Sequence, residues 1–327
     1  MMDRRTFISA VAANLVAAPL AAISQPSERV HRIGYLQLGN PPVPAGPDWA
    51  PAPLRELGWI EGKNLVIEYR YAGESADRLP ALARELVRLN VEIIVTSGTD
   101  AAVAARDATT HIPIVMYSAG DPVGAGLVAR LSGSRSNITG FSIVSTELDA
   151  KQLDVLRQVL PRVQRVGRLV NPKNPIHKVG RKEYEEVFRK LGMQPIFVEA
   201  AAASQLEPAF EELTRRRAEA LVVPSDNLFI ANSGSIMRAS IAHALPTMVG
   251  NRAMVEDGGL VSYTISDDER SRRFAYFVDK ILRGASPGEL PIEQPTKFDL
   301  IINLKTAKAL GLTIPQSVLQ RADVVIH

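Results

Sequence analysis

The chain has 327 residues, a formal charge of +3 and an apolar fraction of 46%, the profile of a globular protein large enough for two packed lobes. It contains no cysteine, which excludes a disulfide framework, thiolate metal sites and a lipid-anchored cysteine. Its densest basic runs, Arg215-Arg216-Arg217 and Arg270-Ser271-Arg272-Arg273, have acids nearby and no interleaved aromatics, so they read as solvated helix faces and argue against a nucleic-acid partner.

The chain opens with Asp3-Arg4-Arg5-Thr6-Phe7-Ile8, an Ala/Val/Leu run and small residues near Ala22 to Ser24. A basic start, a short apolar core and small residues at its end make residues 1–24 an export signal. The adjacent arginines resemble the twin-arginine type, which exports folded proteins, and place the mature chain in the periplasm. The other reading is an ordinary N-terminal helix; the lack of a 3.6-residue polar face, with Pro19 and Pro26 in and after the run, argues against it. No later segment reaches transmembrane length.

From residue 30 onward, short apolar runs alternate with helical stretches. Strands are expected at 32–36, 64–71, 92–96 and 113–117, with a helix at 76–89 whose leucines 79, 82, 86 and 89 recur at helical spacing. The pattern then starts again, with a helix at 147–160 stopped by Pro161 and a strand at 165–170. A helix around 184–191, a strand at 194–198, a helix at 206–216 and a strand at 220–223 follow. A helix at 235–244 and strands at 246–249 and 259–263 close the series, before a final strand at 298–304 and helix at 307–310. Continuous apolar strands separated by helices mean parallel sheets covered on both faces. Two successive sets of βα units suggest two doubly wound lobes, an α/β architecture; a single (β/α)₈ barrel is the structural rival.

In such sheets, ligands meet the loops after the strand C-termini. Those loops here are small, hydroxylated and amide-rich, with acids at Asp100, Asp121 and Asp226. Short donors and backbone N–H groups suit a carboxylate, and an acid suits an ammonium, so a small zwitterion fits. The competing reading is that each Ser, Thr or Asp merely caps a helix. Five scattered histidines with no paired spacing, no phosphate-cradling loop and no Gly-x-Ser-x-Gly elbow leave no case for a metal, a cofactor or catalysis.

The stretch Leu54-Arg55-Glu56-Leu57-Gly58-Trp59-Ile60-Glu61-Gly62-Lys63-Asn64 resembles a signature of ABC-transporter substrate-binding proteins, a group that includes tryptophan- and aromatic-amino-acid-binding members. The likeness runs through the segments 114–128, 137–141, Asn171-Pro172 and 224–227, and is most specific in the tail 293–315. The resemblance implies the periplasmic binding protein type I fold, two doubly wound parallel-sheet lobes joined by a hinge that close over a ligand. It implies a first lobe at 30–145 with a return around 267–296, and a second at 146–266 completed by 297–327. Contacts carried over are Asn40, Ser97, Thr99, Ser118 and Asp121 on the first lobe. On the second they are Asn171 and Asp226, with Tyr263 as a further candidate. Asp226 is the expected ammonium partner, and Ser97 and Thr99 the expected carboxylate site. The loop 41–53 is richer in proline than the family's usual segment, and Trp49 within it is either a stacking surface or a packing residue. The implied role is a monomeric, exported, non-enzymatic receptor that delivers a small solute, an amino acid among the candidates, to an inner-membrane ABC permease. The alternative is a periplasmic sensing module signalling to a membrane kinase. An exported enzyme on the same scaffold is a third possibility, marked by turnover of the trapped ligand.

Overall fold

The computed structural model describes residues 29–41, 51–73, 75–132, 136–143, 145–174, 176–177 and 181–327. The expected export signal at 1–24, and residues 42–50 of the proline-rich loop with Trp49, lie outside them.

The first sheet contains β1 (His31–Gln37), β2 (Leu65–Tyr71), β3 (Ile93–Ser97), β4 (Ile114–Gly120) and β5 (Ile138–Ile143). All pair in parallel, in the order β2-β1-β3-β4-β5. The second contains β6 (Arg165–Val170), β7 (Gln194–Glu199), β8 (Ala220–Val223), β9 (Thr247–Val249) and β10 (Val261–Ile265). Its order is β7-β6-β8-β9-β10, so the second lobe repeats the doubly wound topology of the first. Beyond β10 the sheet gains β11 (Phe298–Asn303) and β12 (Val324–Ile326). β11 runs antiparallel to β10, and every other pairing in the two sheets is parallel. Two open sheets thus stand where alternation alone also allowed a closed barrel.

The repeat extends to packing. β3 is buried along its whole length, as a strand covered by helices on both faces must be. In helix Leu79–Arg88, Leu79, Ala83 and Leu86 form the buried face, and Leu86 presses onto Gly34 of β1. Helix Leu206–Arg215 repeats this on the second lobe, with Leu213 pressed onto Gly167 of β6. A Cβ at either glycine would stand 2.8 or 2.4 Å from that leucine's δ-carbon, so the bare backbone is what lets helix and sheet approach.

β5 was not expected as a strand. Gly140 interrupts its apolar run at φ +122°, and a Cβ there would lie 2.3 Å from the Met116 carbonyl oxygen of β4. The glycine is what allows the pairing.

After β10 the chain returns to the first sheet as helix Asp267–Leu282, which packs on β4 and β5 and sets Phe274 edge-on against Tyr117 with ring centroids 5.4 Å apart. The Ser142 N–H of β5 donates to the Glu293 carbonyl at 2.8 Å before the chain enters β11. Among the described residues, no helix is long and apolar enough to cross a membrane.

Candidate ligand-binding site

Parallel strands deliver their C-terminal ends to one edge of each sheet. A cavity of about 850 Å³ lies where these edges face each other, a size that fits a small-molecule site. Gln37, Ser97 and Ser118 line it at the ends of β1, β3 and β4, and Asp226 and Gly250 line it after β8 and β9.

The first-lobe wall is aromatic. Tyr35, Tyr71 and Tyr117 line the cavity, and the rings of Tyr35 and Tyr71 have centroids 6.0 Å apart. Burial pushes the Tyr35 phenol far above its ordinary range, so it stays neutral. The Arg270 guanidinium lies over the Tyr117 ring at 4.8 Å and pairs with Asp267.

The second-lobe wall is charged. Arg168 from β6 lies over the Tyr184 ring, 3.3 Å from its centroid. Asp149, from helix Ser145–Val159, stands within reach of both charge and phenol. Burial pushes the Asp149 carboxyl up to about 6, with the Arg168 charge and the Tyr184 hydroxyl pulling the other way. His177 accepts the Asn171 N–H on Nδ1 at 2.8 Å, and burial holds it down to about 4, so its imidazole is neutral with the proton on Nε2.

Asp226 and Asp100 bring two carboxylates toward each other across the cavity. Asp226 accepts Asn171 Nδ2 at 3.2 Å, Asn174 Nδ2 at 2.8 Å and the Leu228 N–H at 2.9 Å, the last as the cap of helix Asn227–Ala231. Burial, and then the charge of Asp226, push Asp100 up to about 7. The lobes also touch directly: Asn227 Nδ2 donates to the Ser97 carbonyl at 2.7 Å. At the rim, exposed Lys173 and Asp77 stand 3.4 Å apart.

Of the expected contacts, Asn40, Ser97, Thr99, Ser118 and Asp226 line the cavity. The Thr99 hydroxyl is buried and accepts the Gly120 N–H at 3.0 Å. Asp121, Asn171 and Tyr263 do not line it. Asp121 accepts the Gly124 N–H at 2.9 Å and closes a turn. Asn171 sits behind Asp226, its amide donating to that carboxylate and its oxygen accepting the Lys173 N–H. Tyr263 stacks on Phe298 of β11, centroids 5.5 Å apart, and its neighbour Thr264 faces the cavity instead. Sequence reasoning did not select Tyr35, Tyr117, Asp149, Arg168, Tyr184 or Arg270. A charge inside the buried strand β6 was the one readable sign, and it pointed to Arg168. Among the described residues, no group of three or more His, Cys, Asp or Glu is placed to hold a metal ion.

A family model described as ABC transporter substrate binding protein matches residues 51–326. The chain belongs to that family. Proteins of this family bind substrates and are not enzymes. The Tyrosine-binding protein of Clostridioides difficile (strain R20291) is 25% identical over 259 residues, 79% of this chain and 74% of that protein. A conserved domain protein from Vibrio cholerae O1 biovar El Tor str. N16961 is 26% identical with a TM-score of 0.85, over 91% of this chain and 100% of that one. An ABC domain from Streptococcus pneumonia in complex with L-Trp is 25% identical with a TM-score of 0.82, over 91% of this chain and 100% of that one. The ligand-free, open structure of a substrate binding protein with adhesive properties from Clostridium difficile is also 25% identical, over 91% of this chain and 99% of that one, but its TM-score is 0.64. At equal identity and coverage, this substrate-binding protein superimposes better on the ligand-bound relative than on the open one.

Proposed function

We propose that the protein is an exported receptor of an ABC importer that closes its lobes over an amino acid with an aromatic side chain and hands it to an inner-membrane permease. The observation that carries this reading is the cavity itself: tyrosines line one wall, charged groups the other, and the two lobes touch across it. A flat apolar side chain gains most against aromatic faces, while a zwitterionic head needs both signs of charge. The relatives named for tyrosine and L-Trp binding support the same ligand class. In this reading the first lobe is 30–145 with a return at 267–296, the second is 146–266 with 297–327, residues 1–24 direct export, and the receptor works as a monomer in the periplasm. Asn40, Ser97 and Ser118 are its polar contacts from the first lobe.

A thermal-shift screen of protein unfolded and refolded to strip bound ligand tests it. An amino acid at about a hundred times its dissociation constant stabilises the folded state by about 2.7 kcal/mol. A clear rise in Tm with L-tyrosine or L-tryptophan is expected; a flat screen across all amino acids would refute the reading.

A further inference from the structure

The edge of the first sheet that faces the cavity carries an irregularity. Thr96 of β3 pairs with Met116 of β4, but the next residue, Ser97, pairs with Ser118, so Tyr117 has no partner on β3. On the other side, Tyr117 and Ser118 together stand opposite the single residue Phe141 of β5. β4 therefore carries a one-residue bulge, a device that re-aims side chains where sheets end.

The packing records its effect. Before the bulge, Ile114 and Met116 belong to the core under helix Leu79–Arg88, and Val115 and Tyr117 to the core under helix Asp267–Leu282, as strand alternation requires. After it, Ala119 has joined the core of Met116. The alternation has flipped, and Ser118 follows Tyr117 onto one face. Tyr117, Ser118 and Gly120 accordingly line the cavity, and Ala119 does not. Ser118 thereby completes a row that crosses four strands in register: Tyr71 beside Gln37, Gln37 beside Ser97, and Ser97 beside Ser118. All four line the cavity.

The polar groups of this wall differ in what they are free to do. Gln37 accepts the Tyr35 hydroxyl on Oε1, and the Ser97 hydroxyl bonds to the same phenol. The Tyr117 hydroxyl bonds to Arg270. The Ser118 hydroxyl has no hydrogen-bond partner among the described residues. Ser118 is partly exposed on the cavity wall, whereas the other unpartnered hydroxyls, such as those of Thr96 and Ser262, are fully buried.

An open hydroxyl among aromatic rings selects the side chain that enters. The wall of Tyr35, Tyr71 and Tyr117 suits a flat ring. A serine hydroxyl in that wall accepts from an O–H or N–H on the ring's edge, and is left unpaired under a bare hydrocarbon ring. We infer that Ser118 is a specificity-determining residue of the aromatic wall. Its hydroxyl accepts from the hydrogen-bond donor of the ligand's side chain, so the receptor prefers tyrosine and tryptophan to phenylalanine. The bulge puts that hydroxyl in place, because regular pairing would set Tyr117 beside Ser97 and turn Ser118 to the opposite face. This assignment rests on the amino-acid receptor reading above.

Affinities of L-tyrosine, L-tryptophan and L-phenylalanine for wild type, Ser118→Ala and Ser118→Thr test it. Calorimetry reads the tight ligands, and thermal shift at millimolar concentration reads the weak ones. Wild type should bind L-tyrosine, L-tryptophan or both about 5- to 50-fold more tightly than L-phenylalanine, the effect of one buried hydrogen bond made or left unmade. Ser118→Ala should lose that preference by weakening the ligands with a donor, leaving L-phenylalanine unchanged. Whichever donor ligand weakens, phenol or indole, is the one that reaches the hydroxyl. Ser118→Thr keeps the hydroxyl and should keep the preference. The ligand-free Tm of Ser118→Ala should match wild type, since the hydroxyl has no partner to lose. No preference in wild type, a preference that survives in Ser118→Ala, equal changes for all three ligands, or a lowered ligand-free Tm would overturn the assignment while leaving the receptor reading intact. A wild-type protein that binds no amino acid would remove both.

Discussion

The Asn227 side-chain amide donates to the Ser97 carbonyl oxygen at 2.7 Å, tying the first residue of helix Asn227–Ala231 to the last residue of β3 across the cavity. Under the proposed lobe closure this bond would hold the closed state and not the open one. One neutral hydrogen bond contributes about 0.5–1.5 kcal/mol. Asn227→Ala should therefore weaken ligand binding by up to about tenfold, with little change in the Tm of ligand-free protein. Calorimetry and thermal unfolding together check this.

Gly98 stands beside that contact. Its φ is +95°, and a Cβ there would lie 2.3 Å from Asn227 Nδ2. Gly98→Ala should strain the backbone by about 1–3 kcal/mol and push the lobes apart, a larger loss of affinity than Asn227→Ala causes. Because the two changes act on one contact, they should not add. In the double variant the contact with Asn227 is relieved while the positive-φ backbone and the 2.8 Å approach to Asp100 Oδ1 remain, so affinity should recover in part and exceed that of Gly98→Ala combined with the separate cost of Asn227→Ala.

Asp100 gives the protein a pH signature. Asp100 titrates at about 7 in this structure, through burial first and the Asp226 charge second, against about 3.9 in an unfolded chain. Between those values the folded protein holds a proton that the unfolded chain has lost. The contribution of Asp100 to stability is thus full below about pH 4 and disappears as pH rises through about 7. Asp149, raised to about 6 by burial, has the same sign. His177, held down to about 4 by burial, has the opposite sign: its contribution is full above about pH 6.5 and lost as pH falls through about 4. Above pH 6.5 the carboxyl effect therefore stands alone. From pH 6.5 to 8 the Tm of ligand-free wild type should fall relative to that of Asp100→Asn; parallel profiles would contradict the assignment.

Asp226→Ala separates a structural carboxylate from a ligand-binding one. The substitution leaves the amides of Asn171 and Asn174 and the Leu228 N–H without their acceptor. It should cost about 1–3 kcal/mol of stability in urea unfolding and change amino-acid affinity only a few-fold. Unchanged stability with abolished binding would make Asp226 a direct ligand contact.

The fold was legible wherever burial leaves a continuous apolar run. Ile93-Ile94-Val95 and Ala220-Leu221-Val222-Val223 read as buried strands because both faces of each sheet are covered. β5 was not legible, since Gly140 looks like a turn residue until Met116 of β4 is seen pressed against it. Nor was the antiparallel direction of β11, which follows from the chain's return by way of helix Asp267–Leu282. The site was legible as a set of loops but not as a set of side chains. Tyr263 was expected at the end of a strand closing at 263, where the next loop begins, yet β10 runs on to Ile265, and strand alternation turns Tyr263 onto Phe298 and Thr264 to the cavity. Asp121 and Asn171 have the residue types of a polar site but are used as turn and network supports. Asp149, Arg168 and Tyr184 come together only when helices Ser145–Val159 and Arg181–Lys190 pack against each other on the second sheet, a proximity no spacing in the chain encodes.

Small-angle X-ray scattering from ligand-stripped protein, with and without saturating L-tyrosine or L-tryptophan, tests lobe closure over an amino acid most directly. Closure requires the radius of gyration to fall on addition of ligand. An unchanged radius of gyration at saturation with every amino acid would contradict it.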